Sequence, residues 1–384
     1  MVTYKSLRDK LQNLEKYEGC VKIDRPPVIN EGFPGQFNVS FTEHPWLKEH
    51  GRYLDFDHDY VFTTVPSCIR WNDIYDENTK SSKLEGEDSW RYLGVFEMAD
   101  LIGMIGLSKR TDTLDLQKKQ ASSLVKLLES LGISKEQIYP SYQIGGDVPK
   151  VTDGRYDFSY KIHPDEIGRQ ILLEQGIPEE NLIKDKTRDT LLALRLERQL
   201  PNGKGKTQIK TPWGYRNEIN VNIGTKENPK YVDIGTLERF VWKPIYEKGK
   251  IVGLEDIEDE VSIGAVGLER LCMVANGLDS VQEIDCIKPF YDILPIGSQR
   301  VLVGEGLRTL HRIYSDMKKY GIELTRSRKK KVKRMLRTIL DFSLSIKDIE
   351  KLLKVNAENQ PWHPELNEGV NFCLKEIQDY SARR

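Results

Sequence analysis

The sequence predicts an α+β protein: a mixed, largely antiparallel sheet flanked by helices over residues 1–295, then a helical domain over 296–384. Three observations carry this. The stretch from Thr211 to Val261 alternates apolar and polar residues as half-buried strands do. Gln117 to Leu131 places Leu124, Leu127, Leu128 and Leu131 at helical spacing, with Gly132 to stop the helix. Beyond Leu294 to Gly306 the pattern is helical to the end. A length of 384 residues allows two or three domains at roughly 150 residues each.

The elements follow in order. Residues 1–20 read as an amphipathic helix striped by Leu7, Leu11 and Leu14. Residues 21–60 are irregular and rich in Pro, Gly and aromatics. Asp59 to Ile69 is a strand leading to Arg70, Asn72 to Asp88 a polar loop, and Tyr92 to Met98 a second strand, together a long hairpin. Residues 138–162 read as strands broken at Gly145–Gly146. His163 to Gln175 is a helix started by Pro164 and ended by Gly176. Residues 187–199 read as a further helix before a Gly/Lys loop at 202–206. Tyr215 to Ile223 and Phe240 to Tyr246 are strands, the second ending at a Lys248–Gly249 turn, and Val261 to Leu278 passes from strand to helix.

Composition narrows the function. Lys plus Arg is 58 and Asp plus Glu is 59, for a net charge of −1, with 38% apolar and 30% charged residues, which excludes a disordered chain and a uniformly basic coat protein. No apolar run is long enough to span a bilayer, and the charged N-terminus lacks a signal-peptide core. Five scattered cysteines without a C-x-x-C pair and six distant histidines give no disulfide framework or His-based metal cluster, and a reducing cytoplasm is expected.

Three segments carry chemistry jointly: Cys68-Ile69-Arg70-Trp71-Asn72-Asp73-Ile74, Gly94-Val95-Phe96-Glu97-Met98 and Gly264-Ala265-Val266-Gly267-Leu268-Glu269-Arg270. Two arginines and an aromatic ring can clamp a nucleotide, one guanidinium at the reacting phosphate, one at the outer phosphates, and the ring on the base. Small residues before Arg270 let backbone approach the ligand. Taken singly, Arg70 is a surface or salt-bridge residue, Phe96 is core, and Glu269–Arg270 is a solvated ion pair. The glycines match neither G-x-G-x-x-G nor a Walker A loop.

In their order, these segments resemble the catalytic core of class II aminoacyl-tRNA synthetases, and within that class the alanyl type. CIRWNDI and GVFEM look like the two strands of its motif 2, LVKLLESLGISKEQIY and EIGRQILLEQGIPEENLI like its following helical blocks, and Asn217-Glu218-Ile219 like its S-E-[IL] strand. Ser262 to Leu271 is similar to its motif 3. The resemblance runs from about residue 59 to about 290. It implies ATP and Mg²⁺ as cofactors, aminoacyl-adenylate formation with release of pyrophosphate, and transfer to tRNA. By it, Arg70 binds the α-phosphate and the amino-acid carboxylate, Phe96 stacks on adenine, and Arg270 sits at the γ-phosphate. Asn72, Asp73, Gly267 and Glu269 complete the ATP site, and Glu218 contacts the substrate or Mg²⁺.

The departures fall on the amino-acid side. Ser262 stands where the family has an aspartate for the α-amino group. Trp213, Tyr215 and Arg216 replace small residues, and Thr236-Leu237-Glu238-Arg239 replaces E-[IL]-W-N. The pocket assigned to Trp213, Arg216, Glu218, Arg239 and Ser262 therefore implies a substrate other than alanine, or alanine held differently. Arg216 and Arg239 suit an acidic or otherwise anionic substrate, unless both are surface arginines.

Arg326 to Arg337, RSRKKKVKRMLR, has eight basic residues in twelve, above an apolar face of Leu324, Val332, Leu336 and Ile339. It looks like a stretch of the family's helical tRNA-recognition domain. Arg326, Arg328, Lys329, Lys330, Lys331, Lys333, Arg334 and Arg337 are the RNA-binding candidates, by phosphate contact. A solvated helix face is the plain alternative. The family's editing and C-terminal domains have no counterpart in these 384 residues. Transfer to a carrier protein, peptide or small molecule, and an inactive RNA-binding paralogue, are the alternative functions.

Overall fold

The computed structural model of the chain describes residues 1–12, 21–29, 37–38, 60–77, 79–101, 104–106, 113–147, 161–186, 190–193, 196–199, 206–209, 213–248, 250–297, 299–342 and 344–384. Eleven strands form one sheet: β1 (Val21–Lys22), β2 (Tyr60–Thr63), β3 (Ser67–Cys68), β4 (Phe96–Asp100), β5 (Met104–Gly106), β6 (Ile138–Gln143), β7 (Ile183–Asp185), β8 (Leu191–Ala193), β9 (Trp213–Asn222), β10 (Tyr231–Glu247) and β11 (Lys250–Gly267). The order is β1-β2-β5-β11-β10-β9-β6-β7, with β4 also on β11, β3 on β4 and β8 on β9. Among the described residues only the β1–β2 and β6–β7 pairs are parallel. The sheet is thus the mixed, mainly antiparallel one the sequence predicts.

Its centre is the long β10–β11 hairpin, where Lys248 turns the chain at φ 48°. Gly249, the other turn residue expected, lies outside the described residues. Alternation gives each central strand two faces. On one face lies the helix α3 (Thr113–Ser130), which buries Leu124, Leu127 and Leu128 and stops at Gly132 with φ +83°. The helix α4 (Glu166–Glu174) is capped by Asp165, which accepts from Gly168 N at 3.0 Å. Asp165, one residue after the expected Pro164, therefore opens this helix.

The helix α1 (Tyr4–Gln12) buries Leu7 and Leu11, and the helix α5 (Leu268–Ala275) continues directly from β11. After Leu294 the described chain is helical: α6 (Lys288–Ile293) leads into α7 (Arg300–Tyr320), α8 (Arg326–Asp341), α9 (Ile346–Glu358) and α10 (Pro364–Ala382). The middle of α7 is buried all round, including Glu305, Arg308, Arg312 and Asp316. It runs close behind β4. Gly94 N donates to Glu305 Oε2 at 2.9 Å, and a Cβ on Gly94 would run into the Glu305 carbonyl at 2.9 Å and Thr309 Oγ1. One cluster of buried apolar side chains continues from α1 through the sheet to α10.

One expected element is wrong. Residues 187–199 are not a helix where they are described. Leu191–Ala193 pairs with Trp213–Tyr215, and Leu196–Gln199 pairs with Lys206–Ile209 across the Gly/Lys loop. A Leu-rich run with interleaved charge fits both periods, and a free edge on β9 decides between them.

Candidate active site

The other face of the central strands forms the floor of a cleft of about 90 Å³. Its walls come from β3, β4 and the connection between them. The β3–β4 register pairs Cys68 with Phe96, so Arg70, two residues beyond, lands over the Phe96 ring with Cζ 5.5 Å from the centroid. A short helix, α2 (Trp71–Ile74), follows Arg70 and carries Asp73 into the cleft wall, where Lys83 Nζ reaches Asp73 Oδ1 at 2.8 Å. At the opposite end, β11 gives way to α5 at Gly267. Arg270, in the first turn of α5, donates from Nη1 to Asp233 O and Oδ2, each at 3.0 Å, and from Nε to Arg91 O at 3.0 Å. A Cβ at Gly267 would meet only Ile234 O and Met98 Sδ, each at 3.8 Å. The protein's own packing therefore does not demand glycine there, and the space gained opens on the cleft.

On the floor, Arg216 and Glu218 of β9 lie beside Glu238 and Thr236 of β10, their direct ladder partners. Arg216 Nε donates to Glu218 Oε1 at 3.0 Å. The electrostatics are set by burial and by four arginines, Arg70, Arg91, Arg216 and Arg270. Burial works against the charge on Arg70, but Asp233, Asp73 and Glu218 outweigh it and hold the guanidinium more firmly protonated than usual. Burial raises the Glu218 carboxyl well above the carboxylate range, and Asp233 adds to it against Arg216 and Arg70. Burial also pushes Glu238 up to about 7, opposed by Arg216 and by the Thr236 hydrogen bond. Glu269 is pushed up to about 8 by burial and by Glu97; it accepts from Glu97 N at 3.0 Å and from the Tyr4 hydroxyl at 3.0 Å.

The cleft thus brings together Arg70, Asp73, Phe96, Arg216, Glu218, Gly267, Glu269 and Arg270. Asn72 is exposed outside it. Trp213, Arg239 and Ser262 lie on the opposite face of the sheet, the one that α3 and α4 cover. Trp213 packs with Tyr215, Trp242 and Ile162. Arg239 Nη2 meets Asp165 Oδ1 at 3.1 Å, and the fully buried Ser262 donates to Gln120 Oε1 at 2.8 Å. The cause is the two-residue period: Arg216 and Glu218 point one way, Trp213, Tyr215 and Asn217 the other. Arg239 is buried against Asp165 on the far face and so leaves the expected pocket, whereas Arg216 lines the cleft with its Nε on Glu218. Arg91, Asp233, Thr236 and Glu238 line the cleft without having been singled out as site residues.

Among the described residues no group of three or more His, Cys, Asp and Glu side chains converges on a metal position. Glu218, paired with Arg216, has no second and third ligand converging beside it among the described residues, so it does not complete a metal site. Among the described residues no helix is long and apolar enough to cross a membrane.

The basic segment forms α8, capped by Thr325 Oγ1, which accepts from Arg328 N at 3.4 Å. Arg326, Lys329, Lys330, Lys333, Arg334 and Arg337 are exposed and Lys331 is half-buried. Arg328 is instead buried, 6.0 Å from the Phe37 ring centroid, and burial brings its guanidinium down to about 10. It faces the interior with Val332, Met335, Leu336 and Ile339 and is corrected out of the RNA-facing set. Lys331 Nζ lies 5.3 Å from the Trp71 ring and Arg334 Cζ 3.1 Å from the Tyr75 ring, so α8 packs on the segment that follows Arg70.

No protein-family model and no curated protein matches the chain. Among solved structures it is similar to the crystal structure of pyrrolysyl-tRNA synthetase from Desulfitobacterium hafniense, at 13% identity over 73% of this chain and 72% of that chain, with a TM-score of 0.31. A likeness that loose assigns this chain neither a family nor an activity.

Proposed function

We propose that the chain activates an amino acid with ATP, forming an aminoacyl-adenylate and releasing pyrophosphate, and passes the aminoacyl group to tRNA. The observation that carries the reading is one cleft with Arg70 over Phe96 at one wall and Arg270 at the mouth of α5. Two anions, a carboxylate and a triphosphate, must be held together, and cationic groups at both the reacting and leaving ends serve that need. A carboxylate oxygen of the amino acid attacks the α-phosphorus, and the bond from that phosphorus to the bridging oxygen breaks. Arg70 steadies the oxygens at the reacting centre, and Arg270 takes the charge that grows on the departing pyrophosphate. The Phe96 ring offers a surface for the base. Mg²⁺ enters with ATP as part of the substrate, since Glu218 does not complete a site for it among the described residues. No nucleophile from the protein is required.

The basic face of α8 supports transfer to an RNA acceptor, because exposed Lys and Arg bind phosphate in a salt-dependent way. ATP–pyrophosphate exchange across all amino acids tests the first half. One or more should support exchange, and Arg270→Ala should lower it about 10²–10³-fold. Exchange with none, or an unchanged rate in that variant, overturns the assignment. Charging of total tRNA tests the second half, and no acylation with no RNA binding at moderate salt removes tRNA as the acceptor.

A further inference from the structure

The cleft floor holds a buried polar atom with no hydrogen-bond partner in the protein. Glu238 is 2% exposed, and its Oε1 accepts from Thr236 Oγ1 at 3.1 Å. Its Oε2 has no partner. A buried acceptor left unmade forfeits its hydration with nothing in return, and this one lines the cleft, where a ligand can supply the missing donor. Arg216 and Arg70 act on Glu238 through space, but neither makes a hydrogen bond to this oxygen. Arg216, directly across the ladder, gives its Nε to Glu218, and Arg239, the next residue, meets Asp165 on the opposite face. Glu218 faces the same part of the cleft from the neighbouring strand, opposite Thr236. Two carboxyls thus share this end of the floor.

The register says which end it is. Gly235 sits opposite Val266, next to Gly267, whereas Glu238 sits opposite Ile263. Three residues of strand, roughly 10 Å, separate Glu238 from the Gly267–Arg270 end. A substrate with its phosphates between Arg70 and Arg270 presents a different group here. Among the described residues no set of three or more potential ligands converges on a metal, so an organic cation fits this end better than a metal ion.

We infer that the cleft selects an amino acid with a cationic side chain, an ammonium or guanidinium that donates to Glu238 Oε2 with Glu218 beside it. The inference rests on the amino-acid-activation reading and names its substrate class. It makes Glu238 a specificity residue and runs opposite to an anionic substrate. Such a cation also relieves the two carboxyls whose ionisation burial opposes.

The test pairs two readouts on the whole chain. ATP–pyrophosphate exchange and thermal unfolding are measured with L-lysine, L-ornithine, L-arginine, L-norleucine and L-glutamate. At least one basic amino acid should support exchange and raise Tm, and norleucine, of lysine-like length without the charge, should be at least about 100-fold poorer in kcat/KM. Glu238→Gln should cut kcat/KM for the basic substrate by about 100-fold and abolish its effect on Tm. If a neutral or acidic amino acid leads instead, the inference falls and activation stands. If none supports exchange but a basic amino acid still raises Tm in the native chain and not in Glu238→Gln, activation falls and the cation site stands. If neither occurs, both fall. A basic substrate handled equally by Glu238→Gln also overturns the inference. Should that variant fail to fold, Glu238→Asp carries the same test. Drawing the carboxylate back by one methylene should shift preference from ornithine toward lysine, and an unshifted preference overturns the assignment.

Discussion

Buried carboxylates lie on both sides of β4, and the two sides treat them in opposite ways. Behind the strand, Glu97 receives Arg8 Nε at 3.2 Å, His363 Nε2 at 2.9 Å and the Tyr4 hydroxyl at 2.9 Å. Nearby, Glu365 takes Arg25 at 2.7 Å and Arg312 at 2.6 Å, and Asp316 takes Arg25 at 2.6 Å. Burial alone would raise Glu97 and Glu365. For Glu97, His363 and Arg8 reverse that, and for Glu365, His363, Arg312 and Arg25 do; both carboxyls are held well below the usual range. In front, Glu218 and Glu238 are pushed upward and Glu238 keeps an unpaired oxygen. The rear network joins α1, β4, α7 and α10, and its charges are saturated by protein. In the cleft, Glu238 is as deeply buried but lacks a partner for one oxygen, whereas Glu218 is half-buried and paired with Arg216. Charge that holds the fold together is answered internally, whereas charge kept for a ligand is left open.

The rear side breaks hardest. Glu97→Ala strands Arg8 and His363 in a dry interior, and removing one member of a buried pair costs about 3–5 kcal/mol. Urea unfolding at neutral pH measures it, and a loss below about 1 kcal/mol would mean that the network is incidental to the fold. Glu238→Gln is expected to act the other way. The native Glu238 titrates near 7, above its ordinary 4.5, so between those values the folded chain holds more protons than the unfolded one. Its contribution is full below about pH 4.5 and is lost as pH rises through about 7. Glutamine does not titrate and keeps the Thr236 contact. The variant should therefore gain stability over the native chain as pH rises from 5 to 8, by on the order of 1–3 kcal/mol. Parallel unfolding curves at pH 5 and pH 8 decide it, and a gain that shrinks with pH contradicts the unanswered carboxyl.

The contrast between the two sides of β4 was partly written in the sequence. The grouping of Arg70, Phe96 and Arg270 rested on the resemblance, and the β3–β4 register brings the first two together in space. The strands at 215–223 and 240–246 were also legible, but their faces were not, and the second strand begins earlier, at Tyr231. Arg216 was grouped with Arg239 although both strands alternate, and only the cross-strand register shows Arg216 opposite Glu238 and Arg239 opposite Tyr215. Arg328 was within reach: with Val332, Met335, Leu336 and Ile339 it falls on one helical stripe, which the density of positive charge obscured. The strands at 191–199 were not, because pairing with segments further along the chain leaves no local mark in a Leu-rich run. The rear network lay beyond reach as well, since Arg8, Glu97 and His363 meet only through tertiary packing.

The exposed face of α8 extends the comparison to charge that neither fold nor cleft uses. Lys329, Lys330 and Lys333 stand in solvent on a helix whose opposite face is docked through Val332, Leu336 and Ile339. Replacing all three with glutamine removes like-charge repulsion and no packing, so each change should move stability by less than about 0.5 kcal/mol. The same variant should bind total tRNA more weakly, and its log–log salt slope should be shallower by about one per lysine that had neutralised a phosphate. Fluorescence anisotropy from 50 to 200 mM salt reads both quantities. A variant with native stability and an unchanged slope would return α8 to a solvated face. A variant that loses stability as Glu97→Ala does would place these lysines with the rear network, on the structural side of the divide.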